Sequence, residues 1–196
     1  MFTGIITRLG RVVSYQLKND SCVIKIAIKD IEVSLGESIA CDGVCLTVSA
    51  ILQDSVYEFD VSLETLSCTN LSLWQEGYVC NIELALALGS RLNGHLVSGH
   101  VDSTAVVDNI EYKEDYISLS LLLKQGGVVI NKGSIAVNGV SLTINKVEHC
   151  KVEIMLVPHT IKYTNLQYLK SQDIVNIEYD MLYKMIQQHA EKYLEK

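Results

Sequence analysis

Ser38 to Thr47 reads SIACDGVCLT, and Ser134 to Thr143 reads SIAVNGVSLT. Seven of the ten positions are identical, and the correspondence pairs Cys45 with Ser141. Three further blocks repeat in the same order. Thr3-Gly4-Ile5-Ile6 answers Ser98-Gly99-His100-Val101, Thr65 to Leu71 (TLSCTNL) answers Thr160 to Leu166 (TIKYTNL), and Asn81-Ile82-Glu83 answers Asn176-Ile177-Glu178. The offset is 95 or 96 residues throughout. A constant offset over ordered blocks is the signature of a duplicated unit, here somewhat under 100 residues long.

Each copy reads as strands. Period-two alternation with β-branched residues marks Cys22 to Ile28, Val44 to Ile51, Tyr57 to Val61, Tyr116 to Leu122, Val140 to Val147 and Val152 to Val157. Lys18-Asn19-Asp20 and Lys124-Gln125-Gly126-Gly127 punctuate them as turns. Many short strands at regular spacing predict a small closed, or nearly closed, antiparallel barrel in each half. The single proline, Pro158, follows a strand-like run, where no ladder donor is lost. After Asp180 the pattern changes. Met181, Leu182, Met185, Ile186, His189 and Tyr193 recur at helical spacing, which predicts a terminal helix with Asp180 as its N-cap. The apolar stripe of that helix has no second helix to meet, so it is expected on a barrel or on another subunit.

Composition narrows the function classes. The chain has 196 residues, 48% of them apolar, and a formal charge of -7, which argues against a nucleic-acid surface. The opening MFTGIITRLG shows no basic segment followed by an apolar one, and no apolar run is long enough to span a bilayer. The six cysteines lack any Cys-x-x-Cys spacing and read as free thiols of a reducing compartment. These features lead us to expect a soluble cytoplasmic protein with no nucleic-acid or membrane partner.

Two equivalent barrels carry two equivalent surfaces, hence two sites for similar small ligands. In GVCLTV the glycine, Gly43, is expected to let a ligand approach the backbone, with Cys45 and Thr47 on one face of the strand. Gly139, Ser141 and Thr143 repeat this arrangement. Each residue also has a plainer reading. Cys45 could be a small buried hydrophobe, His95 and His100 hydrogen-bonded structural residues, Asp180 only a cap, and Thr69-Asn70 and Thr164-Asn165 repeated turn chemistry.

The opening MFTGII, the pair GVCLTV and GVSLTI, the central NGHLVSGHVD, and the segments PHT-x-x-x-TNL and NIEYD resemble riboflavin synthase of the single-chain, two-barrel type over essentially the whole chain. The resemblance implies two similar six-stranded Greek-key antiparallel barrels in tandem, at residues 1–90 and 91–180, and a trimerisation helix at 181–196. It also implies dismutation of two molecules of 6,7-dimethyl-8-ribityllumazine, by transfer of a four-carbon unit, to riboflavin and 5-amino-6-(D-ribitylamino)uracil, with no cofactor and no metal. A homotrimer with active sites between neighbouring subunits, and association with lumazine synthase, belong to the same set of expectations.

By position, the resemblance makes Cys45, His100, Ser141 and Asp180 the catalytic candidates. The first lumazine cradle would use Gly4, Ile5, Ile6, Cys45, Leu46, Thr47 and Asp60, Val61, Ser62, Leu63, Glu64, Thr65. The second would use Gly99, His100, Val101, Ser141, Leu142, Thr143 and Met155, Leu156, Val157, Pro158, His159, Thr160, with Lys132 reaching a neighbour's ligand. His159 stands where the family commonly carries Glu. The alternatives are a non-catalytic lumazine- or flavin-binding protein of the same fold, and a flavin transport or sensing module.

Overall fold

The structure, a computed structural model, describes residues 1–124 and 129–194. Twelve strands close into two barrels of six. The first contains β1 (Arg8–Leu17), β2 (Ser21–Ala27), β3 (Ser38–Cys41), β4 (Val44–Ile51), β5 (Val56–Ser62) and β6 (Val79–Leu84), in the cyclic order β1-β2-β5-β4-β3-β6. The second contains β7 (Ser103–Lys113), β8 (Tyr116–Leu123), β9 (Ser134–Val137), β10 (Val140–Glu148), β11 (Lys151–Leu156) and β12 (Ile174–Tyr179), in the same order. All pairings are antiparallel. Equivalent irregularities recur as well, between Val12 and Ser14 and between Val107 and Asn109. Such bulges bend a strand enough to help close so small a barrel.

Each interior is filled by the inward residues of every strand. Ile24, Ile26, Phe59 and Ile82 pack the first barrel, and their repeat equivalents Leu119, Leu121, Ile154 and Ile177 pack the second; all eight are almost fully buried. The interiors are therefore solid cores and any ligand must sit outside them. The alternation read from the sequence located six of the strands. It passed over β1, β3, β6, β7, β9 and β12, whose apolar positions are interrupted or whose span is only four to six residues. The Lys18-Asn19-Asp20 turn is present between β1 and β2, while Gln125-Gly126-Gly127 lies outside the described residues.

Two short helices, α1 (Leu63–Cys68) and α2 (Pro158–Tyr163), follow β5 and β11 at equivalent places. Ser62 caps α1 by accepting from the Thr65 N–H, and Pro158 takes the first helical position of α2, where a missing N–H costs nothing. The terminal helix α3 (Met181–Leu194) begins as the sequence predicts, with Asp180 Oδ1 accepting the Leu182 N–H at 2.9 Å. Leu182, Met185, Ile186 and Tyr193 are all more than half exposed, so the stripe does not pack on either barrel of its own chain.

The barrels are joined by contacts that cross between the repeats. Phe2 and Val97 form an antiparallel bridge and, with Ala40 and Ala136, a small shared core. Asn81 Nδ2 donates to the Asn138 carbonyl and Asn176 Nδ2 to the Asp42 carbonyl, at 2.9 and 3.0 Å. Asn165 donates its backbone N–H to Asn81 Oδ1, and Asn70 does the same to Asn176 Oδ1, both at 2.7 Å. Asn70 and Asn165 thus do more than turn chemistry: Thr69 and Thr164 cap the 3-10 turns Asn70–Leu73 and Asn165–Tyr168, and the asparagines stitch one barrel to the other.

The glycines of the repeated hexapeptide also belong to this junction. A Cβ on Gly43 would lie 2.7 Å from the Gly139 nitrogen, and one on Gly139 would lie 2.6 Å from the Gly43 nitrogen. Both have positive φ, 78° and 76°. This corrects the expectation that they open the backbone to a ligand: they let the two barrels touch.

Candidate active site

Period two sets which side chains of the hexapeptides are available. Along β4, Val44, Leu46 and Val48 face the core, while Cys45 and Thr47 face outward; along β10, Ser141 and Thr143 do so. The candidate cradles are therefore on the outer barrel walls. Leu46, Leu142, Val61 and Leu156 are buried in the cores, so only their backbone groups can meet a ligand. Asp60, Ser62, Leu63, Glu64 and Thr65 lie where β5 runs into α1, and Met155, Val157, Pro158, His159 and Thr160 where β11 runs into α2.

The glycine turns complete each wall, and here the structure differs from the sequence expectation. The resemblance groups Gly4 to Ile6 with Cys45, and Gly99 to Val101 with Ser141. The structure exchanges them. The Ser141 N–H donates to the Gly4 carbonyl at 2.7 Å, and the Cys45 N–H to the Gly99 carbonyl at 2.8 Å. Ile6 packs against the second core and Val101 against the first. The Phe2–Val97 bridge makes each turn cross to the opposite barrel before its own first strand begins.

Each turn is held by a buried carboxylate at the end of its own barrel's last strand. Glu83 accepts from Thr3 N–H at 2.7 Å, Thr3 Oγ1 at 2.8 Å and Gly4 N–H at 2.9 Å. Glu178 repeats this on Ser98 N–H, Ser98 Oγ and Gly99 N–H, at 2.6, 2.7 and 2.9 Å. Burial pushes the Glu83 carboxyl above its ordinary value, against the opposing pull of those donors. The Asn-Ile-Glu repeats were visible in the sequence. The role of their glutamates is not legible there, because a carboxylate in a strand carries no local sign of what it will hold.

His95, for which the sequence offers only a structural reading, is the other residue that the structure brings to the site. Its Nδ1 lies 2.7 Å from Ser141 Oγ. Burial lowers its pKa from the ordinary imidazole value, opposed by the nearby negative charge of Asp180. Ser141, His95 and Asp180 thus form one electrostatic group at the second barrel, with a neutral imidazole beside the hydroxyl at neutral pH. His100 is exposed on the turn beside Cys45, its backbone N–H donating to Ser98 Oγ at 3.1 Å. Lys132 is exposed on the loop entering β9, with positive φ.

Among the cysteines, Cys41 and Cys80 are fully buried, and burial drives their thiols well up, so they remain protonated core fillers. Cys45 is half-buried and faces the cradle. Among the described residues, no group of three His, Cys, Asp or Glu side chains is placed to hold a metal ion, and no helix is long and apolar enough to cross a membrane.

Two six-stranded barrels, each presenting an outward Gly-Val-x-Leu-Thr strand to a turn delivered by the other, define a duplicated barrel protein with two equivalent outer walls. The lumazine binding domain family matches residues 3–85 and again residues 98–180. The chain is 38% identical over 196 residues to riboflavin synthase of Bacillus subtilis (strain 168), covering 98% of this chain and 91% of that one. It is 37% identical to riboflavin synthase of Photobacterium leiognathi, with coverages of 95% and 88%. The chain belongs to the riboflavin synthase family. Its fold matches that of LumP complexed with 6,7-dimethyl-8-(1'-D-ribityl) lumazine, with a TM-score of 0.82 at 25% identity, over 91% of this chain and 98% of the other.

Proposed function

We propose that the chain is a transferase of riboflavin biosynthesis that dismutates two molecules of 6,7-dimethyl-8-ribityllumazine. One molecule gives up a four-carbon unit to the other, yielding riboflavin and 5-amino-6-(D-ribitylamino)uracil. The reaction balances in atoms and electrons without cofactor or metal. The observation that carries the reading is the pair of cradles built on one plan and differing in their central outward residue, Cys45 in one and Ser141 in the other. Two identical substrates need two similar walls, while donor and acceptor need different treatment.

The lumazine 7-methyl group is a carbon acid whose conjugate base delocalises into the ring, so a base of ordinary strength suffices. The position of His100 on the turn beside Cys45 supports a part for it in proton handling at that cradle. His95 holds Ser141 with a neutral imidazole, ready to take the hydroxyl proton if Ser141 or a water it orients adds to the acceptor ring. Asp180 supports the imidazolium that forms. Alignment of the two rings supplies much of the remaining acceleration.

Residues 1–90 and 91–180 serve as the two binding units and α3 as the assembly helix, residues 195–196 of the expected segment lying outside the described residues. The exposed stripe of α3 supports a homotrimer, in which the Cys45 cradle of one subunit faces the Ser141 cradle of its neighbour and Lys132 reaches across to the neighbour's ligand. A soluble, cytoplasmic protein able to associate with lumazine synthase fits this role. A non-catalytic ligand carrier is the second reading, favoured by the structural likeness to ligand-bound LumP. Incubation of the purified protein with the lumazine alone separates them: one riboflavin formed per two lumazines consumed supports the synthase, and binding without turnover supports the carrier.

A further inference from the structure

The two cradles differ in charge as well as in their central residue. A cavity of about 530 Å³ shares Ile6 and His159 with the Ser141 cradle and is also lined by Arg8, Lys162 and Tyr163. His159 packs on the Tyr163 ring at 4.6 Å between centroids, and Lys162 Nζ lies 5.2 Å from the same ring. Arg8 Nη1 donates to the neighbouring Thr7 carbonyl at 2.7 Å. No carboxylate is among the described residues lining this cavity, and none of the three basic side chains forms an ion pair among the described residues.

The repeat supplies an internal control. The positions equivalent to Arg8, His159 and Lys162 in the Cys45 cradle are Ser103, Glu64 and Ser67. Thr7 is matched there by Asp102, whose charge is taken up by Lys184 at 3.0 Å. One cradle edge is thus neutral to acidic and the other is basic, although both descend from one ancestral unit. A neutral ribityl chain gives no reason for two lasting cations and an imidazole on one side only. A phosphate monoester does, because guanidinium and ammonium groups bind its oxygens through charge-assisted hydrogen bonds.

We propose that the Ser141 cradle takes ribityl ligands bearing a terminal phosphate, with Arg8, His159 and Lys162 receiving the phosphate, so that a phosphorylated flavin competes with substrate at this cradle. The inference rests on the reading of the cradle as a ribityl-ligand site. The test is titration of the full chain with flavin mononucleotide and with riboflavin, followed by quenching of flavin fluorescence. Flavin mononucleotide is expected to bind at least about tenfold more tightly, the scale of one added charge-assisted contact. The preference should shrink between roughly 0.01 M and 1 M salt, as the screening length falls from about 30 to about 3 Å. It should also be lost in the Arg8→Gln/Lys162→Gln double variant, whose riboflavin affinity stays measurable because riboflavin lacks the phosphate. Inorganic phosphate at millimolar concentration should displace flavin mononucleotide and spare riboflavin. Equal affinity for the two flavins, or a preference that survives in the double variant, overturns the inference while leaving the lumazine reaction untouched. Failure to bind lumazine or either flavin overturns the proposed function along with it.

Discussion

Ser141 and Gly4, which belong to different sequence repeats, are joined by a 2.7 Å backbone hydrogen bond, and Cys45 and Gly99 by the matching one at 2.8 Å. The wall of each cradle is therefore half native to its barrel and half lent by the other. Glu83, in the first barrel, fixes the turn that serves Ser141 in the second; Glu178 does the converse.

This geometry predicts crossed effects. Glu83→Gln puts an amide NH2 among three donors and should cost about 2–3 kcal/mol of stability. Beyond that loss, it should weaken ligand binding at the Ser141 cradle and spare the Cys45 cradle, with Glu178→Gln giving the opposite pattern. Chemical denaturation and ligand titration of both variants would measure this. Weakening on the same side in both variants would refute the crossed arrangement.

His95 should shape the acid limb of the rate profile. Its pKa is lowered, so it is neutral at neutral pH and gains its proton only below the ordinary imidazole value of 6.5. If the neutral ring is the working form, activity falls as pH drops through that lowered value. His95→Gln should lower kcat by about 100-fold or more, the usual scale for a general base, and flatten that limb. A pH profile of kcat/KM with an unshifted limb in the variant would remove His95 from proton transfer.

Asp42 is fully buried among the Asn81 N–H, the Asn165 amide and the Tyr78 hydroxyl, and its repeat equivalent is Asn138. Burial outweighs these donors and pushes its pKa from 3.8 up to about 7. The folded state therefore holds this proton more tightly than the unfolded chain, and stability contributed below pH 3.8 drains away as pH rises to about 7. Denaturation at pH 5 and pH 8 should show a larger loss for the unaltered protein than for Asp42→Asn. Equal losses would show that Asp42 stays ionised across that range.

The contact between the two glycines can be tested against an open glycine. Gly139→Ala places a methyl 2.6 Å from the Gly43 nitrogen at positive φ and should cost about 2–4 kcal/mol. Gly36→Ala has a similar φ of 82° but meets nothing within 4 Å, so it should cost only about 1–2 kcal/mol. Similar denaturation midpoints for the two variants would contradict the close approach of the barrels at this point.

The sequence by itself determined the duplication, the closed or nearly closed barrels, the shared strand face of Cys45 with Thr47 and of Ser141 with Thr143, and the capped terminal helix. These follow from periodicity and local hydrogen bonding, which neighbouring residues carry between them. Only the tertiary structure decided that Gly43 and Gly139 face each other, that His95 holds Ser141, and that the Gly4 and Gly99 turns change places. The physical reason is the duplication itself. Exchanging equivalent segments between two copies leaves every local pattern unchanged, so the choice rests on long-range contacts such as the Phe2–Val97 bridge, which no stretch of one repeat encodes alone.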